Sequence, residues 1–216
     1  MWQDLFDSLQ DRNFMVVAVA EETRGSEQAR KWIDQGKATY WCLIDTEHRV
    51  ADLYGLVNVP QAVWIDETGR IVRPPESAGA TDHFRRMDRT TFSMTPEDQA
   101  ARQAARQAYL DAVRDWVLSG RYALPGDEVR RKLPQITPAI AEAQAQFKLG
   151  LWLFRHGRGM EAKTAFAEAS RLHPDSWSIW RQAADLEAVG NAGGPAFWAR
   201  VDALGDRPYY APPVLE

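Results

Sequence analysis

Up to about residue 75 the chain alternates short apolar runs with amphipathic stretches. Apolar residues at helical spacing predict helices at residues 2–12, from residue 26 onward and around residues 50–54. Continuous apolar runs predict strands buried on both faces at residues 14–20 and 40–44, and shorter strands at residues 62–65 and 70–72. The order α-β-α-β-α-β-β predicts an α/β layer with a mostly parallel sheet and an antiparallel hairpin at its edge.

From residue 95 the pattern is helical only. Thr95 and Thr137 each precede a proline, which is the arrangement that opens a helix, and these helices are predicted to end near Ser119 and His156. Three further helices are predicted at residues 159–172, 175–189 and 195–204.

The change of pattern predicts the domain organisation. Pro74-Pro75 is predicted to end the last strand, and the polar stretch after it separates the two halves. The predicted parts are an α/β domain at residues 1–75, a linker at 76–95, a helical domain at 96–206 and an extended tail at 207–216.

Composition excludes several classes of protein. The 216 residues carry 30 acidic and 26 basic side chains, and the net charge of −4 gives no electrostatic reason to bind nucleic acid. No apolar run reaches the roughly 18 residues of a membrane-spanning helix, and the first residues lack a secretory signal. We therefore expect no membrane span and, for the chain as given, a cytoplasmic location. The four histidines are dispersed, so we expect no metal site and no cofactor.

Six residues in the helical half stand at a characteristic spacing, namely Leu149, Gly150, Ala162, Phe166, Ala169 and Pro174. With them, residues 143–176 resemble a tetratricopeptide repeat, a unit of about 34 residues in two antiparallel helices. Its small residues lie where the helices cross, and its large residues fill the space between. A second unit is present only in part. The resemblance implies a concave face over residues 141–189 that binds a peptide or partner domain. The alternative is that the bundle only supports the α/β half.

The first half carries its own ordered set of segments, namely FMVVAVA, YWCLID, VADLYGLVNVP, AVWID and GRIV. In this order, residues 1 to about 73 resemble a thioredoxin-like domain of the TlpA/ResA type, related to the peroxiredoxins. The resemblance implies that Val59-Pro60 is the cis-proline loop, where the backbone of Val59 pairs with extended substrate peptides. The alternative is that Pro60 only begins the following strand, a position where proline is tolerated.

The chain departs from this family at the redox centre. In the family a central strand leads into Cys-x-x-Cys at the start of the helix that here is residues 2–12, and this chain begins after that point. Because Cys42 is the only cysteine, dithiol exchange by the chain as given is excluded. Cys42 is a weak catalytic candidate, since its place inside YWCLI favours a buried structural thiol. Without the strand, three arrangements are open: residues 14–20 and 62–66 pair directly, another chain supplies the strand, or the recorded start is internal to a longer protein.

Three hypotheses of function follow. The first is a redox-inactive module, not an enzyme in the chain as given, that binds a protein or extended peptide through Val59-Pro60, through the concave helical face, or through both. The second is a thiol-disulfide oxidoreductase or peroxiredoxin relative whose catalytic strand and Cys-x-x-Cys lie upstream of Met1, with an extracytoplasmic location. The third is a homodimer in which the helical half completes the sheet.

Overall fold

A computed structural model describes residues 1–215, which fold into a mixed α/β structure. The strands are β1 (Val17–Ala20), β2 (Trp41–Ile44), β3 (Gln61–Ile65) and β4 (Ile71–Ser77). The α-helices are α1 (Trp2–Ser8), α2 (Ser26–Gly36), α3 (Arg49–Tyr54), α4 (Pro96–Ser119), α5 (Gly126–Lys132), α6 (Pro138–Arg155), α7 (Gly159–Leu172), α8 (Trp177–Glu187) and α9 (Pro195–Asp202). Two 3-10 helices span Asp82–Arg86 and Asn191–Gly193. Residue 216, the last of the predicted tail, lies outside the described residues.

The predicted order of elements in the first half, α-β-α-β-α-β-β, is confirmed. The predicted helix starts at Thr95 and Thr137 are confirmed as well, since their hydroxyl oxygens accept from the N–H groups of Asp98 and Ile140 at 3.1 and 3.2 Å. The short helix α5 is not among the predicted elements, because its sequence GDEVRRK has one large apolar residue, Val129, and so shows no apolar spacing. Within residues 1–215 no helix is both long and apolar enough to cross a membrane.

The described chain divides into two compact units, each built from separate stretches. Unit 1 consists of Met1–Val16, Pro60–Leu133 and the chain from Ala203 onward, whereas unit 2 consists of Val17–Val59 and Pro134–Asp202. The predicted boundary near residue 95 therefore lies inside unit 1. The reason is that α4 packs on the hairpin that precedes it, with the rings of Tyr109 and Trp64 5.8 Å apart and edge to face.

The core of unit 1 surrounds Tyr109, which has no exposed surface. Its buried neighbours are Leu5, Leu9, Trp64, Ala78, Leu110, Ala112 and Val113. A chain of hydrogen bonds crosses this core: the indole N–H of Trp64 donates to the Tyr109 hydroxyl at 2.8 Å, and that hydroxyl donates to Glu76 Oε1 at 3.3 Å. Burial, and next the charge of Glu76, raise the pKa of Tyr109, so its hydroxyl keeps its proton.

Arg73 of β4 is the other centre of unit 1 and is 1% exposed. Its guanidinium donates to both carboxylate oxygens of Glu76 at 2.8 Å. It also donates to the carbonyl oxygens of Tyr122 and Val214, at 3.0 and 2.7 Å. The buried charge is therefore paired, and it ties three separate segments of unit 1 together.

Strand β4 continues to Ser77, past the Pro74-Pro75 pair that the sequence predicts to end it. Ala62 of β3 pairs with Glu76 and Trp64 pairs with Arg73, so the two prolines lie in an irregularity of the ladder where two residues face one. Proline has no N–H to donate and is tolerated at such a bulge. Because of the bulge, the strand delivers both Arg73 and Glu76 to the core.

The described strands form two separate sheets. β1 and β2 are parallel and belong to unit 2, and β3 and β4 are antiparallel and belong to unit 1. The expected single sheet is not formed within residues 1–215, and residues 14–20 do not pair with residues 62–66.

The prediction that β1 and β2 are buried on both faces is wrong. Val17, Trp41 and Leu43 are 53%, 65% and 47% exposed, although α2 packs against β2. Val17 pairs with Trp41 in the parallel register, so these two side chains lie next to each other at the surface.

Candidate functional site

Helices α6 and α7 of unit 2 pack closely at the positions predicted from the repeat pattern. A Cβ atom on Gly150 would lie 2.5 Å from Phe166 Cδ1, so the close approach requires glycine there. Ala162 and Ala169 are 1% and 0% exposed and belong to the same core cluster as Phe166. Gly150, Ala162, Phe166 and Ala169 are therefore buried between the two helices, as expected for small and large residues at a helix crossing.

The other two predicted packing residues lie at the surface. Leu149 is 47% exposed, because the neighbouring position 150 faces α7 and adjacent residues of a helix point in different directions. The large hydrophobic residues of α6 that pack inward are Phe147, Leu151 and Leu153. Pro174 is exposed in the turn between α7 and α8, where its carbonyl oxygen accepts from the guanidinium of Arg200.

A groove of about 780 Å³ runs along α7 and α8 in unit 2. Most of its lining is apolar and includes Phe154, Met160, Phe166, Trp180, Ala183 and Leu186. Lys163 of α7 and Glu187 of α8 also line it and form an ion pair with each other. Ligand sites commonly have volumes of about 300 to 1,000 Å³, so the groove is large enough for a peptide side chain and its neighbours.

The two predicted peptide-binding residues are exposed at the surface. Val59 is 41% exposed, and its N–H donates to the side-chain oxygen of the buried Asn58 at 2.9 Å. The carbonyl oxygen of Pro60 accepts from the N–H of Ala78 at 3.2 Å. The N–H of Val59 can therefore pair with a peptide only if Asn58 gives up this contact.

The single thiol, Cys42, lies in the middle of β2. It pairs with Ala18 of β1 in the parallel ladder and is half-buried, less covered than the predicted buried thiol. Its position is neither at a helix N-terminus nor in a turn, which are the places where a thiolate is stabilised by backbone dipoles.

A cluster of buried polar side chains lies in unit 2, and neither Glu21 nor His48 of this cluster is among the predicted site residues. Glu21 follows β1 directly and His48 precedes α3, and their side chains are 5% and 3% exposed with Oε2 3.6 Å from Nδ1. Among the described residues, neither carboxylate oxygen of Glu21 has a hydrogen-bond partner, nor does His48 Nε2 or Ser178 Oγ. Buried polar groups in proteins are nearly always paired, so this cluster stands out.

Burial sets the ionisation of this cluster. It raises the pKa of Glu21 to about 7, and the charges of Asp45 and Asp52 act in the same direction. The hydroxyl of Ser178, which lies near this carboxyl group without reaching hydrogen-bond geometry, opposes the rise only in part. Burial also lowers the pKa of His48, against the attraction of the same two aspartates. At neutral pH the cluster thus pairs a neutral imidazole with a carboxyl group near half protonation.

The backbone turns His48 inward. Its φ angle is 52°, in the left-handed region that bulky residues seldom adopt. Asp45 holds the turn, since its Oδ2 accepts from the N–H of Val50 at 2.7 Å. The imidazole then packs edge to face on Phe147, with ring centroids 5.1 Å apart. One signal could have revealed the cluster: Glu21 and Asp45 both follow parallel strands, whose carboxyl ends meet at one sheet edge.

Within residues 1–215 no group of three or more His, Cys, Asp or Glu side chains is arranged to hold a metal ion. Comparisons with protein-family models, with curated proteins and with solved structures each found no match. The resemblances to the thioredoxin-like and tetratricopeptide families thus stay hypotheses.

Proposed function

We propose that the chain is a redox-inactive binding module for an extended peptide of a protein partner, with the groove along α7 and α8 as its site. The groove itself is the observation that carries this proposal. Its lining exposes large apolar side chains: Met160 at the start of α7 is 82% exposed and Phe154 at the end of α6 is 40% exposed. Burying such surface against a partner is favourable, and contiguous exposed apolar surface is typical of interaction sites.

The lining also indicates the kind of peptide. Ala183 and Ala184 leave room beside Trp180 for a large apolar side chain. The Lys163–Glu187 ion pair at the groove is 64% and 53% exposed, so each partner can exchange the other for a charged residue of the peptide. We therefore expect an apolar anchor residue with at least one charged neighbour.

A phage-displayed random peptide library, selected on the purified full chain, tests this proposal. The best peptide is then titrated by fluorescence anisotropy against Met160→Glu and against Leu53→Glu. Both native side chains are 82% exposed, but Leu53 lies on α3 and does not line the groove. We expect Met160→Glu to weaken binding about tenfold or more, as loss of an anchor contact does, and Leu53→Glu to leave it unchanged.

Val59→Asp separates the groove from the proline loop. If the peptide uses the groove alone, this variant binds as the native chain does. If Val59→Asp weakens binding and Met160→Glu does not, the groove is the wrong site. Selection that enriches no common peptide sequence would contradict the proposal as a whole.

The second candidate function is a thiol-disulfide oxidoreductase or peroxiredoxin relative whose catalytic strand and Cys-x-x-Cys lie upstream of Met1. One observation favours it: within residues 1–215, β1 and β3 each pair with a strand on one side only. An added strand would satisfy the backbone groups of such an edge. Intact mass and N-terminal sequence of the protein from its own source decide this candidate. A longer chain with Cys-x-x-Cys would support it, and a start at Met1 would contradict it.

A further inference from the structure

Unit 2 contains a cavity of about 200 Å³ that is separate from the peptide groove. Of the described residues, none lines both. Its apolar wall includes Leu56, Ile136, Ile140, Phe147 and Ile179. A cavity of about 150 Å³ is enough to hold a molecule as large as benzene, so this one can hold a ligand of a few non-hydrogen atoms.

Polar side chains that lack partners lie at the wall of this cavity. His48 and Ser178 both line it, and they are 2% and 7% exposed. His48 Nε2 and Ser178 Oγ have no hydrogen-bond partner among the described residues. Because His48 Nδ1 faces Glu21, the Nδ1–H tautomer is favoured, and Nε2 then offers a lone pair. The cavity thus presents acceptors that a hydrogen-bond donor could satisfy.

The charges of the wall have one sign. Asp52 and Asp175 line the cavity, and no lysine or arginine is among its described lining residues. The two lining histidines, His48 and His173, both have pKa values lowered by burial, so they are neutral at pH 7. Lys148 does not line the cavity, but its ion pair with Asp52 offsets one of these two negative charges. Because the charge of Asp175 remains, the wall favours a cation over an anion.

We propose that this cavity binds a small primary ammonium ion with a short apolar body. The ammonium group donates to His48 Nε2 and Ser178 Oγ beside the carboxylate of Asp52, and the hydrocarbon part lies against the isoleucines and Phe147. The proposal does not depend on the peptide groove, and either can fail without the other.

Isothermal titration calorimetry of the full chain with three four-carbon probes tests the charge requirement. The probes are n-butylammonium, the neutral n-butanol and the anion butyrate. We expect saturable binding of n-butylammonium with a roughly millimolar dissociation constant, as suits so small a ligand. We expect n-butanol to bind about tenfold more weakly, since it lacks the charge-assisted hydrogen bonds. Equal affinity of n-butanol, tighter binding of butyrate, or no saturable binding of n-butylammonium would overturn the proposal; the last result would mean that water alone occupies the cavity.

Two variants test the named residues. Asp52→Asn keeps the size of a side chain that is 21% exposed, and Ser178→Ala removes one acceptor. Each is expected to weaken n-butylammonium binding about tenfold, the usual effect of losing a hydrogen bond or contact to a charged group. The matched control is Glu161→Gln, the same loss of charge at an exposed side chain of α7 that does not line the cavity. Native affinity in both Asp52→Asn and Ser178→Ala, with circular dichroism confirming the fold, would contradict the assignment.

Discussion

In unit 1, Arg73 and Glu76 are buried together, and the guanidinium also reaches the carbonyl oxygens of Tyr122 and Val214. In unit 2, Glu21 and His48 are buried to a similar degree but lie 3.6 Å apart, without a hydrogen bond for either Glu21 oxygen in the described part of the chain. The first arrangement satisfies each charge that it buries. The second leaves the Glu21 oxygens and His48 Nε2 unpaired among the described residues, and His48 lies at the wall of a cavity.

The two sheets differ in how far their tryptophan side chains are covered. Trp64 of the antiparallel sheet in unit 1 is 4% exposed and donates its indole N–H to Tyr109. Trp41 of the parallel sheet in unit 2 is 65% exposed, although parallel sheets are normally covered on both faces. In the described part of unit 1, no buried side-chain nitrogen or oxygen lacks a hydrogen-bond partner. Unit 2 has an uncovered sheet face, an apolar groove and an incompletely paired polar cluster, and the groove and the cluster are the features on which the two proposed binding sites rest.

We expect the largest loss of stability when the hydrogen bonds of Arg73 in unit 1 are removed. Arg73→Met leaves the Glu76 carboxylate with only the Tyr109 hydroxyl as a donor and takes the Arg73 donor from two carbonyl oxygens, and it should lower the free energy of unfolding by about 3 to 5 kcal/mol. Urea denaturation at pH 7 measures it. Arg114→Met is the matched control, because its partner Asp111 is 52% exposed, and such surface pairs contribute about 1 kcal/mol or less. Equal losses in the two variants would mean that the Arg73 network is not a stabilising centre.

The next largest effect is the pH dependence of stability caused by Glu21, the buried carboxyl group of unit 2. The folded-state pKa of Glu21, about 7, lies above its ordinary value of 4.5, so the native state binds the proton more tightly than the unfolded chain does. Glu21 therefore reduces stability progressively as pH rises from 4.5 to 7, by about 3 kcal/mol in total. Glu21→Gln should remove this decline, as urea denaturation at several pH values would show. A variant that keeps the native pH dependence would contradict the assignment to Glu21.

His48 acts in the opposite direction within the same cluster. Its pKa is lowered by burial, so the native state binds the proton less tightly, and stability rises with pH up to about the ordinary value of 6.5. This rise partly cancels the decline caused by Glu21. We expect His48→Gln to show a steeper loss of stability between pH 4.5 and 7 than the native chain, and a shallower loss would be contrary to the account.

A smaller loss of stability is expected when the close packing of α6 on α7 in unit 2 is disturbed. Gly150→Ala places a Cβ atom against the ring of Phe166, and overpacking of this kind lowers the free energy of unfolding by about 1 to 3 kcal/mol. Gly36→Ala is the control, since it also lies in a helix and its Cβ would meet nothing within 4 Å. Thermal denaturation of both compares them, and a loss of the same size in each would show that the Phe166 contact is unimportant.

The smallest effect is expected at the single thiol. Cys42→Ser changes one atom of a half-buried side chain and should alter the free energy of unfolding by less than about 1 kcal/mol. It should leave affinity for the selected peptide unchanged. Loss of peptide binding in this variant would show that the thiol takes part in function, contrary to a redox-inactive module.

Features that depend on neighbouring residues could be predicted from the sequence. The caps at Thr95 and Thr137 and the contact of Gly150 with a large residue of the next helix are of this kind, because each depends on a short spacing. The division into units could not be predicted, since it depends on α4 packing on β3 rather than on later helices. The cluster of Glu21, His48 and Ser178 joins three distant segments, and none of these residues has a distinctive motif around it. The nearest signal in the sequence is that Glu21 and Asp45 each directly follow a predicted strand.

The pKa of Glu21 is the most direct test of the contrast between the two units. A ¹³C-detected NMR titration of the side-chain carboxyl carbons, with Glu21→Gln used to assign the resonance, measures it in the folded protein. We predict a midpoint of about 7, because burial of Glu21 and the charges of Asp45 and Asp52 disfavour its charged form. A midpoint near 4.5 would show that this carboxylate is solvated or paired, and that unit 2 satisfies its buried charges as fully as unit 1 does.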